Sequence, residues 1–138
     1  MSRHALPLQA ALIAALRADA AVTAIVAGRV YDEPPDTPTR PYLRIGNIEP
    51  VPLRTTGGRG ERVVFSIEGY SRSATSGGRV EATRLAAAVV AALDEKRAAL
   101  NVQGGSVIDL TWRGQTVERD ADGKSYSAIV VFDALIDG

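Results

Sequence analysis

The run from Leu85 to Leu93 (Leu-Ala-Ala-Ala-Val-Val-Ala-Ala-Leu) carries no polar side chain. A helix that is apolar all round needs cover on more than one side, so this stretch constrains the fold more than any other. Gly77-Gly78 opens the segment and Glu81 falls in its first turn, where a carboxylate complements the positive end of the helix dipole. The pattern predicts a long helix from Gly77 to Leu93. In a chain of 138 residues, enough for one ordinary domain, a single sheet covers one side of it. The other side is left to a neighbouring subunit or to water, and Ala is small enough for either. Leu85, Val89, Val90 and Leu93 are the candidate subunit-contact residues.

The sheet is visible in the alternation. Val63, Phe65 and Ile67 alternate with Val64, Ser66 and Glu68, and Ile108, Leu110 and Trp112 alternate with Asp109, Thr111 and Arg113. Asp120-Ala121-Asp122-Gly123 then turns the chain into a returning strand over Lys124 to Ile136, apolar on both faces in its middle as a central strand is. Arg29-Val30-Tyr31 and Tyr42-Leu43-Arg44-Ile45 read as two shorter strands. Between them residues 32–41, with four prolines, form an extended connector. Residues 50–60 read as a flexible loop. About five strands, mainly joined as hairpins, with two main helices, make the fold class α+β with a mainly antiparallel sheet. No repeat or internal boundary divides residues 1–138.

Residues 5–16 are uncharged and follow Arg3, an outline that also fits a secretory signal. Leu8, Leu12 and Leu16 recur at i, i+4 and i+8, Ile13 widens the stripe and Gln9 interrupts it, which suits an amphipathic helix with Pro7 in its first turn. Asp19 caps a second turn that Gly28 ends. The apolar run is too short to span a bilayer, which takes roughly 20 residues.

Sixteen basic side chains, 14 Arg and 2 Lys, offset 16 acidic ones, and a neutral chain is a poor dedicated binder of nucleic acid or anionic membrane. With no cysteine there is no disulfide framework, thiol catalysis or Cys-ligated metal. The one histidine, His4, stands beside the N-terminus and reads as solvated, so the usual general base and commonest metal ligand are missing. Thr56-Gly57-Gly58-Arg59-Gly60 lacks the phosphate-loop spacing, Ser76-Gly77-Gly78-Arg79 brings no lysine, and Asp120-Asp122-Gly123 lacks the later ligands of a calcium loop. Asp32, Glu33 and Asp36 are the densest carboxylates, in a solvated connector. No catalytic residue, cofactor or metal site is expected.

The helix from Leu8 to Leu16, the segment Asp19-Ala20-Ala21-Val22-Thr23-Ala24-Ile25-Val26-Ala27-Gly28-Arg29-Val30-Tyr31-Asp32, and the proline-rich approach to Pro41-Tyr42-Leu43-Arg44-Ile45-Gly46 resemble one known family. It comprises the tail-terminator or tail-completion (head-to-tail joining) proteins of long-tailed phages, prophages and gene transfer agents. The Gly77–Leu93 helix and the final hairpin with its Asp-Gly turn fit the same layout. The resemblance implies one domain over residues 1–138 and a structural, non-enzymatic virion protein. It implies a homomeric ring, usually a hexamer, that caps the tail tube, stops its polymerisation and presents a surface to the head. The implied partners are further copies of itself, the tail tube protein and a head-completion or neck protein, with double-stranded DNA passing transiently and no membrane. The implied location is the head–tail interface of the virion, after assembly in the host bacterial cytoplasm. Another neck component, such as a head-completion or stopper protein, and a small-molecule-binding α+β module stay open as alternatives.

A polar ring needs unlike faces and head-to-tail contacts that close. Residues 1–39 carry 3 basic and 4 acidic side chains, residues 40–93 carry 8 and 4, and residues 94–138 carry 5 and 8, so neutrality is expected to be a sum of opposed patches. The loop from Val51 to Arg62 is the expected interaction element: Arg54, Arg59 and Arg62 dock on a partner while Gly57, Gly58 and Gly60 keep it mobile until then.

Overall fold

The first apolar segment breaks at Asp19. In the computed structural model, which describes residues 3–53, 60–72 and 77–138, α1 spans Ala5–Ala18 and α2 spans Ala20–Val26. The extended backbone of Asp19 lets its carboxylate accept the Val22 N–H at 3.0 Å, as an N-cap does. Leu8, Leu12 and Leu16 are fully buried, so the expected stripe is the core face of α1. The stop of α2 falls on Ala27 (φ 52°), one residue before Gly28 (φ 81°).

Five strands form one sheet in the order β1-β2-β3-β5-β4: β1 Val30–Tyr31, β2 Tyr42–Pro52, β3 Glu61–Arg72, β4 Ser106–Arg119 and β5 Ser125–Asp137. Only β1 with β2 is parallel; the other neighbours are antiparallel, giving an α+β fold with a mostly antiparallel sheet. Residues 50–52, expected in the loop, continue β2, where Pro50 faces Val63 and Pro52 faces Glu61. The paired neighbour of β2 on its other side, β1, reaches only Leu43 and Arg44, so these prolines sit where a missing N–H breaks no ladder with it.

The third helix, α3, spans Gly78–Leu93 and packs on β3, β5 and β4, while α1 lies over β1 and β2. One continuous core joins the helices to one face of the sheet, from Leu43 and Ile45 through Phe65 and Ile67 to Val130 and Phe132. Phe65 and Phe132 stack there at 5.4 Å. Gly69 lets α3 approach, since a Cβ at that position would lie 2.8 Å from Leu85 Cδ2.

Leu85, Val89 and Leu93 are fully buried beneath α3, and Val90 is half-buried. This corrects the expected role of Leu85, Val89 and Leu93 as subunit contacts: the protein's own sheet takes them, each such burial contributing about 1.5–3 kcal/mol, whereas Val90 keeps part of its surface accessible. The outward side of α3 is instead Val80, Thr83, Arg84, Ala87 and Ala91.

Two further expectations are corrected. Of Ile108, Leu110 and Trp112 only Leu110 is buried. The register shift between Val107 and Asp109 leaves Ile108 as an extra residue, as a bulge does, and it is 44% exposed, whereas Trp112 stays in step with Leu110 opposite Phe132 and is 39% exposed on the outermost strand. His4 is not solvated. It is 1% exposed, with Nδ1 2.8 Å from Glu61 Oε1, and its backbone N–H donates to the same oxygen at 3.1 Å. The start of α1 packs over the start of β3 and against Gly105, where a Cβ would meet the imidazole at 2.9 Å. Among the described residues no single helix is long and apolar enough to cross a membrane.

Candidate assembly surfaces

With its core on the helix side, the sheet turns its other face outward. Strand pairing places Val64 of β3 and Ile129, Val131 and Leu135 of β5 on that face, where they are half-buried apolar side chains without a covering layer among the described residues. Arg62, Arg113, Gln115, Thr116 and Glu118 border Val64, Ile129 and Val131 in a shallow groove of about 550 Å³. An apolar strip with a polar border is the usual build of a protein contact surface.

Charges on this face are tied down in pairs. Asp133 Oδ2 accepts from Arg62 Nε at 2.7 Å and Arg113 at 2.9 Å, and the first of these bonds raises the Arg62 pKa above its ordinary value. At the other end Glu68 Oε1 accepts from Arg44 at 2.6 and 3.1 Å and from the Tyr70 hydroxyl at 2.6 Å. Burial, then the hydrogen bond to Glu68, pushes the Tyr70 hydroxyl pKa well up. Burial opposes the Arg44 charge, but the bond to Glu68 and its neighbours outweigh it and raise the pKa. The stacked rings of Tyr42 and Tyr70, 5.0 Å apart, complete a rigid polar platform.

The sheet has two unlike edges. At the β4 edge, the turn after α3 seals one half: Glu95 N–H donates to Leu110 O at 3.0 Å, Arg97 donates to Ile108 O at 2.9 Å, and Asp94 accepts the Trp112 N–H at 2.9 Å. No group outside the sheet, among the described residues, bonds the backbone of residues 114–119. Beside that half, Arg79 and Arg119 both lie over the Tyr126 ring, at 5.2 and 5.6 Å, and Arg119 Nε donates to its hydroxyl at 3.1 Å. At the β1 edge, Asp32, Glu33 and Asp36 are exposed, as expected.

The sequence-derived interaction residues divide accordingly. Arg54, Gly57, Gly58 and Arg59 lie outside the described residues. Arg62 stands on the open face, paired with Asp133. Gly60 closes the β2–β3 ladder, its carbonyl accepting the Leu53 N–H at 3.0 Å, so it belongs to the neck of the loop. Arg79 and Arg119 were not singled out from the sequence; an arginine in the first turn of a helix was the one local sign. Among the described residues no group of three or more His, Asp or Glu is placed to hold a metal.

The opposed patches expected from segment charges do not carry over directly. Antiparallel pairing sets β5, with two Asp and no cation, beside β3, so Asp133 meets Arg62, and Asp122 of the β4–β5 turn lies 3.7 Å from Arg72.

Comparison with known proteins gives a consistent result. The family model described as Tail completion protein gp17 matches residues 10–137. A solved chain from the virion of a native gene transfer agent (GTA) particle is similar over 100% of both chains, with TM-score 0.89 and 29% sequence identity. No curated protein sequence matches significantly.

Proposed function

From the premise that this chain belongs to the tail completion protein gp17 family, we propose that it acts as a tail terminator. Its coarse role is structural: a tail-completion protein of a phage-like virion. The finer reading is a homomeric ring, a hexamer, that sits on the last ring of the tail tube, stops polymerisation and forms the joint to the head. The observation that supports it most is the end-to-end likeness to a chain of a gene transfer agent virion. The open sheet face and two unlike edges are what a head-to-tail ring requires of a subunit.

Partners in this reading are neighbouring copies, the tube protein and a head-completion or neck protein, and the location is the head–tail joint after assembly in the bacterial cytoplasm. Double-stranded DNA passes through the ring, and a neutral subunit adds little of the salt-dependent phosphate affinity that would hold it. Arg54 and Arg59 of the loop, with Arg62 at its base in β3, dock on the tube, a neighbouring subunit or the lumen.

Electron micrographs of particles made without the protein test the reading. A terminator leaves tailless heads together with overlong or unattached tails. Tails of normal length beside leaky heads would refute it and indicate a stopper.

A further inference from the structure

We propose that the acidic connector at the β1 edge of one subunit docks against Arg79 and Arg119 at the β4 edge of the next copy. The inference rests on the ring reading and names its contact. Three observations meet in it.

First, Arg79 and Arg119 share one aromatic ring and form no ion pair among the described residues. Nearby carboxylates are engaged elsewhere: Glu81 accepts from Ser71 at 2.9 Å, Asp120 from Ser127 at 3.1 Å, and Asp122 from Ser125 at 2.6 Å. Glu118 is exposed on β4 and pairs with neither. Arg79 also sits in the first turn of α3, where the helix dipole disfavours a cation. An external anion relieves that cost.

Second, Asp32, Glu33 and Asp36 are exposed and, among the described residues, without an ion pair. Arg44, the cation that lines the recess of Asp32 and Glu33, is held by Glu68 at 2.6 Å.

Third, Asp32 and Glu33 follow directly on β1 at one edge of the sheet while Arg119 lies in β4 at the other, with Arg79 of α3 over the same Tyr126 ring, and the basic set flanks the half of β4 that residues 94–97 leave unsealed. Complementary charge on opposite edges is the signature of a heterologous contact, which repeats head to tail and closes into a ring. An isologous dimer joined edge to edge would set like edges, and so like charges, together.

The test is a charge swap in particle-producing cells lacking the native gene. Arg79→Glu with Arg119→Glu, and separately Asp32→Arg with Glu33→Arg and Asp36→Arg, should each lower the yield of tailed particles at least tenfold, with melting of the purified variants confirming the fold. Joining all five substitutions in one chain should restore yield to within threefold, and so should co-producing the two one-sided variants, which then alternate around the ring. Normal yield from folded one-sided variants, or no restoration by either combination, overturns the proposal. The chain has no native cysteine, so Pro35→Cys with Glu118→Cys gives a direct readout in purified particles. A short bismaleimide should yield a ladder of multiples of 14.5 kDa; monomer alone overturns the contact. A ladder in particles whose tails are normal in length without the protein would keep the contact and refute the terminator reading.

Discussion

Replacing His4 by Ala tests the tightest tie between the N-terminus and the sheet. The imidazole is 1% exposed and its partner carboxylate 11% exposed, 2.8 Å apart. Removing it loses a hydrogen bond to a charged group, worth about 1.5–3 kcal/mol, and leaves a space beside Gly105 whose walls relax only partly. A loss of about 3 kcal/mol is expected. With an unfolding entropy of about 2.1 cal/mol/K per residue over 138 residues, each kcal/mol shifts the melting temperature by about 3.5 °C, so the drop is about 10 °C. Differential scanning calorimetry of the wild type, His4→Ala, Glu61→Gln and the double variant measures it. Because both side chains share one bond, the double variant should be less destabilised than the two singles added together. A drop under 2 °C for His4→Ala, or full additivity, would show that the first residues fray in solution and that α1 does not need this tie.

Three further outcomes follow from named contacts. Gly69→Ala puts a methyl 2.8 Å from Leu85 Cδ2 in a closed core, so it should cost about 1–3 kcal/mol by chemical denaturation; no loss would mean that α3 sits farther from β3 than described. Asp122 accepts hydrogen bonds from the Ser125 hydroxyl and from the backbone of Lys124 and Ser125, which hold its pKa well below the ordinary carboxylate value. Its contribution is therefore present above about pH 4 and lost as pH falls toward the lowered folded value; the stability gap between wild type and Asp122→Ala should be constant at neutral pH and narrow on acidification, and a flat gap down to pH 2 would refute the assignment. Val131→Glu on the open face should leave the melting temperature within about 2 °C, a surface-sized change, yet abolish particle assembly, whereas normal assembly would show that this face stays uncovered.

Local chemistry carried much of this fold into view. Asp19 announced its helix cap, Leu8, Leu12 and Leu16 announced a core stripe, and Asp120 to Gly123 announced the last hairpin. What stayed hidden depended on contacts distant in sequence. His4 finds Glu61 57 positions away, and Arg62 finds Asp133 71 positions away, and no periodicity encodes either. In α3 the all-apolar run could not say which side meets the sheet; Thr83 and Arg84, followed by Ala87 and Ala91, pointed outward and were the better guide. β4 misled because a bulge at Ile108 breaks an alternation that looked uninterrupted, and because Trp112, still in step with Leu110, lies on an edge strand.

Topology also decides what net neutrality means. Arg62 and Arg72 of the basic segment meet Asp133 and Asp122 of the acidic one, so part of the segment imbalance cancels inside one subunit. Among the charges left without an ion pair in the described residues are three carboxylates at one edge and two arginines at the other. Exposed pairs of this kind are worth about 0.2–1 kcal/mol each, too little to hold a dimer. A closed ring multiplies them. If each interface of a hexamer loses about 1 kcal/mol, the ring loses about 6 kcal/mol, a factor of about 10⁴ in its equilibrium constant by the 1.4 kcal/mol per tenfold rule. Weak edge charges can thus govern assembly without making the free subunit sticky, and the same reasoning requires that their effect fade as salt shortens the Debye length from about 10 Å at 0.1 M to about 3 Å at 1 M.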